Sequence, residues 1–424
     1  MRNSAPRLRA RRRAALACLL VAPWVARPAP AVALALTLAD RLPRALAGCG
    51  LPLPHLGLEV QAVEGPVQAL ASLNAEQPFV LASTAKLVTA LAALDLLGPR
   101  WRWRTHAFAT GPLRGGRLQG DLLVVGGGDP RLTTDELRRW LAELRAKGLD
   151  EVQGDLVVDR SAFVLHAVDH QGTPDPAPDR PHHARPDALA IDGATAPDPR
   201  EHLARTWREV GGGLRGRVRE GDLSRGRLDA ERLPFFGPDG EPVMPLATLL
   251  SPPLPEVVRD INKASNNLAA RQLMLSLARG FPVRPATLPA ARERVAHWLQ
   301  RQGLAPGDLE LDNGSGLSRA ERGRPRALVR LLRRAWAGEV SREFIDSLPV
   351  AGVDGTLAHR LQGGAAAGRA WLKTGSLLDA RALAGFVQAR SGRWYAMAAF
   401  VNHPQAAGAT PALDAVVEQL AQHG

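Results

Sequence analysis

The stretch "LASTAKLVTALAALDLLG" (residues 81–98) decides the reading of this chain. It is almost entirely apolar, reads as a helix, and meets a helix stop at Gly98-Pro99. Its first turn carries Ser83 and, three positions on, Lys86. Three residues is just under one turn, so the two side chains share a face and can meet. The chain has 54 Lys plus Arg, yet Lys stands only at 86, 147, 263 and 373. A base for a serine hydroxyl must be able to lose its own proton. A desolvated Lys can do so, and Arg effectively cannot. A serine in a first helical turn also lies near backbone N–H groups that suit an oxyanion. Alone, the pattern is short. A polar first turn with a snorkelling Lys explains Ser-x-x-Lys more often than catalysis does.

Two further stretches change the balance. "LKTGSLLDARALAGF" (372–386) places Lys373, Thr374, Gly375 and Ser376 on an expected strand. Lys373 and Thr374 would offer a cation and a hydroxyl to a carboxylate, and Gly375 would let a ligand lie close to the backbone. An exposed strand end is the plainer reading. "INKASNNLAARQL" (261–273) puts Ser265 and Asn267 near the start of an apolar helix. A hydroxyl two residues before an amide suits a proton relay beside an amide-binding group, although Ser and Asn are also ordinary helix caps.

In the order Ser-x-x-Lys, Ser-x-Asn, Lys-Thr-Gly, the three are similar to the set shared by penicillin-recognising serine transferases and hydrolases. The chain resembles the low-molecular-mass penicillin-binding proteins of the D-Ala-D-Ala carboxypeptidase/endopeptidase type that carry a large insertion. The matching text is "ASTAKLVTALAALDLLG" (82–98), "VGGGDPRLT" (125–133), "INKASNNLAARQLM" (261–274), "LDNGSGLSR" (311–319), "LPVAGVDGTLAHRL" (348–361) and "LKTGSLLDARALAGFV" (372–387). The likeness runs from about residue 57 to 404 and is patchy between 164 and 250.

The resemblance implies an α/β (α+β) fold. A transpeptidase-like, β-lactamase-like domain with an antiparallel sheet flanked by helices is expected from residues 34–100 and 250–424, with an inserted β-rich domain at 101–249. It implies that Ser83 attacks the penultimate D-Ala carbonyl of a peptidoglycan stem peptide and that Lys86 takes the serine proton. Ser265 would relay a proton to the leaving amine, and Asn267 would bind the substrate amide. Lys373 and Thr374 would bind the terminal carboxylate, the Lys373 charge helping to keep Lys86 neutral. The N–H groups of Ser83 and Ser376 would hold the oxyanion beside Gly375. Asp159, in "VVDRSAF", matches an acidic position near the stem peptide's side-chain amine. β-Lactam antibiotics should acylate Ser83, and neither a metal nor an organic cofactor is implied. Ser83 and Ser265 are 182 positions apart, which is short for the family and points to a reduced insertion.

Other classes fit less well. Class A β-lactamases share the three motifs but add a Glu-x-x-Leu-Asn loop that is absent here, so lactam hydrolysis is expected to be slow. His166 and His170 have metal-ligand spacing, but "HAVDH" lacks the Glu of His-Glu-x-x-His, and His182-His183 stand in a Pro-rich loop. "NGSGL" (313–317) fails the Gly-x-Ser-x-Gly elbow at Asn313 and reads as a turn bordering the site. A muropeptide-binding scaffold without catalysis is opposed by intact Ser83, Lys86, Ser265, Asn267 and Lys373.

At 424 residues and 45% hydrophobic content the chain suffices for two or three domains. The net charge of +12 does not signal nucleic acid: seven Arg and no acid fall in the first 33 residues, and the other Arg residues are scattered among acids. Those 33 residues have a basic start, an apolar "AALACLLVAPWVA" and a small-residue Ala31-Val32-Ala33 end, the order of an export signal. This predicts a periplasmic or cell-wall location. Once the signal is removed, no membrane span is expected and only Cys49 remains, so no internal disulfide can form. A hairpin is expected over 382–403 with Ser391-Gly392 in its turn, and a closing helix over 412–424.

Overall fold

The computed structural model describes residues 51–166, 185–194, 198–221, 235–236, 242–282 and 284–424. The proposed signal segment and His170, His182 and His183 lie outside the described residues. The centre of the fold is the opening stretch, which forms the helix Ala85–Leu97. Its residues from Ala85 to Leu94 are all buried, as a helix that is apolar on every side must be. Around it pack the helices Leu254–Ala264, Asn267–Ser276, Leu288–Arg301 and Ser341–Asp346, and Pro325–Ala337 joins the same core.

These helices lie on one face of a five-stranded antiparallel sheet, ordered Ala370–Leu377, Ala380–Gln388, Trp394–Asn402, Leu56–Ala62 and Ala69–Leu73. Ala384, Phe386, Ala398 and Phe400 face the helical core. Their neighbours Leu383, Val387, Met397, Ala399 and Val401 face the closing helix Thr410–His423. Both faces are covered, so these strands read as continuous apolar runs instead of alternating ones. Ser391 and Gly392 lie in the loop between them, as the sequence predicts.

The chain leaves this body at Arg104 and returns at Leu250. Between them lies a second sheet, ordered Val218–Gly221, Leu156–Asp159, Leu122–Val125, Arg104–Ala109 and Ala247–Leu250. The first three strands run parallel, and the last two join antiparallel. Helices Thr134–Ala146 and Pro199–Glu209 cover one face with Leu137, Trp140, Leu141, Leu203 and Trp207. The first is opened by a capping box of Thr133 and Glu136. The helix at Pro199 starts on an Asp198 cap with proline in its first turn, and with Thr134–Ala146 it makes this region helical as well as β-rich. The two bodies are bonded together. Gln272 Nε2 donates to the Asp187 carbonyl at 3.0 Å, the Ala286 N–H donates to the Ala162 carbonyl at 2.8 Å, and Phe163 enters the larger core. Among the described residues no helix is long and apolar enough to cross a membrane.

The sequence puts Ser265 and Asn267 near the start of an apolar helix, and a helix does start at Asn267, directly after another that ends at Ala264. Ser265 sits between them in the left-handed region, φ 56° and ψ 37°. The Asn266 side chain accepts from Ala269 N at 3.0 Å and caps the second helix.

Candidate active site

Ser83 lies in the turn Ala82–Thr84, which runs directly into the helix proper at Ala85. The turn is tight: Ala82 has φ 47°, and the Thr84 hydroxyl donates to the Leu81 carbonyl at 2.5 Å. Lys86, fully buried on the first turn of the helix, places Nζ 3.0 Å from Ser83 Oγ. The ammonium also donates to Asn267 Oδ1 at 2.6 Å and to the Ser315 carbonyl. An ammonium has three hydrogens, and here there are three acceptors. A neutral amine has two. If Asn267 and Ser315 keep those, the lone pair faces the Ser83 hydroxyl, which is the geometry a base requires.

Burial pushes the Lys86 pKa down to about 7, against the opposing pull of the Glu321 carboxylate. Desolvation is therefore the main cause of the lowered pKa. The Lys373 charge, expected to help keep Lys86 neutral, is not among the causes acting on Lys86, and the mutual repulsion falls on Lys373 instead. Lys373 is itself fully buried, and burial followed by the Lys86 charge pushes its pKa well down. Two buried cations so placed resist holding two protons together, and a bound carboxylate would draw one back to Lys373.

Lys373 Nζ donates to Ser265 Oγ at 2.9 Å and to the Thr374 carbonyl at 2.9 Å. The left-handed turn at Ser265 thus brings the second motif against the third. Gly375 lies on the edge strand where it passes the nucleophile turn. A Cβ there would meet Ala82 Cβ at 3.0 Å and the Leu81 carbonyl at 3.1 Å, so the spacing between strand and turn depends on glycine. Ser376 follows, exposed. Asp159 stands in the second sheet, buried, with its carboxylate accepting from Ser161 N at 2.8 Å and Ser161 Oγ at 2.7 Å. Eight of the nine residues singled out in the sequence thus fall on the nucleophile turn, its helix, the Ser265 turn and the edge strand; Asp159 falls on the inserted sheet.

Three neighbours escape the motif reading. The Thr374 hydroxyl is 2.8 Å from Thr356 Oγ1, on a turn tied down by Lys263 Nζ donating to Asp354 at 2.6 and 2.8 Å. Ser315 belongs to "NGSGL", which the sequence places at the rim and which instead reaches Lys86 through its backbone. Glu321 is fully buried behind that turn. Glycines at 314 and 316 are the one visible signal of the tight turn, while a single Glu in a charged stretch gives none.

A buried Ser-Lys pair, a Ser-Asn turn and a Lys-Thr-Gly edge strand around one point define an active-site-serine acyl-transfer enzyme of the penicillin-recognising class. The chain belongs to the D-Ala-D-Ala carboxypeptidase 3 (S13) family, whose description matches residues 39–199 and 238–423. It is a serine-type D-Ala-D-Ala carboxypeptidase. It is 28% identical to D-alanyl-D-alanine carboxypeptidase DacB of Haemophilus influenzae, over 79% of this chain and 83% of that one. It is 27% identical to a D-alanyl-D-alanine carboxypeptidase of an Actinomadura species, over 86% of this chain and 83% of the relative. In fold it is similar to penicillin-binding protein 4 of H. influenzae, with a TM-score of 0.71 at 24% identity, covering 86% of this chain and 93% of that structure. A predatory endopeptidase of Bdellovibrio bacteriovorus is similar at a TM-score of 0.59 and 21% identity, covering 86% and 92%.

Proposed function

We propose that Ser83, activated by Lys86, cleaves the terminal D-Ala from peptidoglycan stem peptides. The observation that carries this is the Lys86 amine, buried between Ser83 Oγ and Asn267 Oδ1. Ser83 Oγ bonds to the penultimate D-Ala carbonyl carbon, and its proton passes to Lys86. The N–H groups of Ser83 and Ser376 stabilise the oxyanion. The C–N bond then breaks as Ser265, held by Lys373, relays a proton to the leaving amine. Asn267 has a second task beyond binding the substrate amide, because its carbonyl oxygen orients the Lys86 amine. Lys373 and Thr374, with Thr356 beside them, receive the terminal carboxylate. Water releases the acyl-enzyme. β-Lactams follow the first half of this path, in keeping with a solved Bdellovibrio endopeptidase acylated by penicillin G.

Asp159 serves the stem peptide's side-chain amine in this reading, from an inserted unit that spans 101–249. The decisive experiment is mass spectrometry of muropeptides after incubation with the purified enzyme. Pentapeptides should lose one D-Ala, and labelled penicillin should mark the peptide containing Ser83. Conversion of cross-linked dimers to monomers would add endopeptidase activity. A folded enzyme that releases no D-Ala and takes no label would sink the proposal.

The enzyme acts outside the cytoplasm, in the periplasm or cell-wall space. The basic, apolar, small-residue order of residues 1–33 supports export with cleavage near residue 33. N-terminal sequencing of mature protein should begin close to Leu34; Met1 or Arg2 at the terminus would refute export by this signal.

A further inference from the structure

We propose that Glu321 is a positioning residue for Lys86: its buried carboxylate clamps the 312–316 turn and so holds the Ser315 carbonyl on the Lys86 amine. This rests on Lys86 being the base. Glu321 Oε1 accepts from Gly314 N at 2.6 Å and Asp312 N at 3.3 Å, and Oε2 accepts from Gly316 N at 2.5 Å. Both carboxylate oxygens are thus spent on one turn. Asn313 Oδ1 ties the turn from within, accepting from Ser315 N at 3.1 Å and Ser315 Oγ at 2.5 Å. The Thr89 hydroxyl pins it to the central helix by donating to the Gly314 carbonyl at 2.8 Å. What remains pointing forward is the Ser315 carbonyl, which accepts from Lys86.

The clamp is also an electrostatic partner. The Glu321 charge opposes the burial that lowers the Lys86 pKa, and burial raises Glu321's own pKa to about 7. Asp312 on the same turn and Arg271 from the helix Asn267–Ser276 act on Glu321, while Lys373 faces Lys86 from the edge strand. Glu321 therefore does two opposed things. It fixes the amine's direction, and it makes the amine harder to deprotonate.

Glu321→Gln separates the two. One amide end becomes an N–H donor facing a backbone N–H, so an arm of the clamp is lost. Removing the negative charge also favours neutral Lys86. The acid limb of penicillin acylation, where Lys86 gains its proton, must then move to lower pH. The expected result is a second-order acylation rate at the plateau reduced about ten- to hundredfold, the range for a buried hydrogen bond left unmade, with the limb displaced downward. Glu321→Asp keeps the charge but shortens the reach, so the plateau should fall while the limb stays put. A folded Gln variant with a wild-type plateau, or one whose limb does not move, overturns the proposal. If the Gln variant does not fold, an Asp variant with wild-type acylation overturns it, and one with a lowered plateau and unmoved limb supports it. Lys86→Met, measured in parallel, distinguishes the failures. Retained acylation there refutes the base itself; lost acylation beside an unmoved Gln limb refutes only the clamp.

Discussion

Lys86→Arg is expected to lower the second-order rate of penicillin acylation by about 10³-fold or more, the upper part of the range for losing a general base. The substitution preserves charge, yet the site needs a cation that can cease to be one. Lys86 is fully buried, and burial brings its pKa down to about 7. Arg keeps its proton in any protein environment. Its planar fork also cannot replace a tetrahedral nitrogen whose two hydrogens go to Asn267 Oδ1 and the Ser315 carbonyl while its lone pair faces Ser83. Lys373→Arg should reduce acylation less, since Lys373 is not the group that takes the serine proton; its loss comes from fork geometry and length against Ser265. Acylation rates of both variants, on protein shown to be folded by circular dichroism, decide the matter. A Lys86→Arg enzyme within about tenfold of wild type, far short of a general-base loss, would mean that another group is the base.

Gly316→Ala should cut acylation by about 10²-fold, the loss that a 1 Å displacement of reacting groups can bring. Gly316 has φ 86°, a conformation that a side chain disfavours. A Cβ there would stand 2.0 Å from the Ala82 carbonyl oxygen and 2.6 Å from Ser83 N. Those atoms are backbone, so either the Ser83 turn or the 312–316 turn must shift. The first movement displaces the Ser83 hydroxyl together with its backbone N–H, and the second withdraws the Ser315 carbonyl from Lys86. Gly363 also has a positive φ, 70°, but nothing lies within 4 Å of its Cβ position. Gly363→Ala is thus a control for left-handed strain alone, and it should leave acylation within about twofold while lowering the melting temperature slightly. Equal rates for the two variants would show that the close approach at Gly316 does not matter to the chemistry.

The site was legible where chemistry follows the local chain. Ser83 and Lys86 are three residues apart on one helical turn, so their 3.0 Å contact could be read from spacing. The rarity of Lys marked the position further, since only a proton-losing cation explains avoiding Arg there. The hairpin of Ala380–Gln388 and Trp394–Asn402 was likewise written in two apolar runs around Ser391-Gly392. Motif order supplied the rest of the site by resemblance, without saying which atoms would meet.

The tertiary structure decided what lies between distant segments. Lys86 bonds to Asn267 across 181 positions and to Ser315 across 229, and Lys373 reaches Ser265 across 108. No periodicity encodes such contacts, because they depend on how helices pack on the sheet and where Ser265 turns left-handed. The pKa values belong to the same level. A lysine's sequence neighbours do not reveal its desolvation, and it was burial, more than the Lys373 charge, that proved to lower Lys86. Glu321 shows the limit most plainly. In sequence it is one acid among arginines, and it gains a role only when folding removes water from it and leaves three backbone N–H groups of the neighbouring turn as its partners.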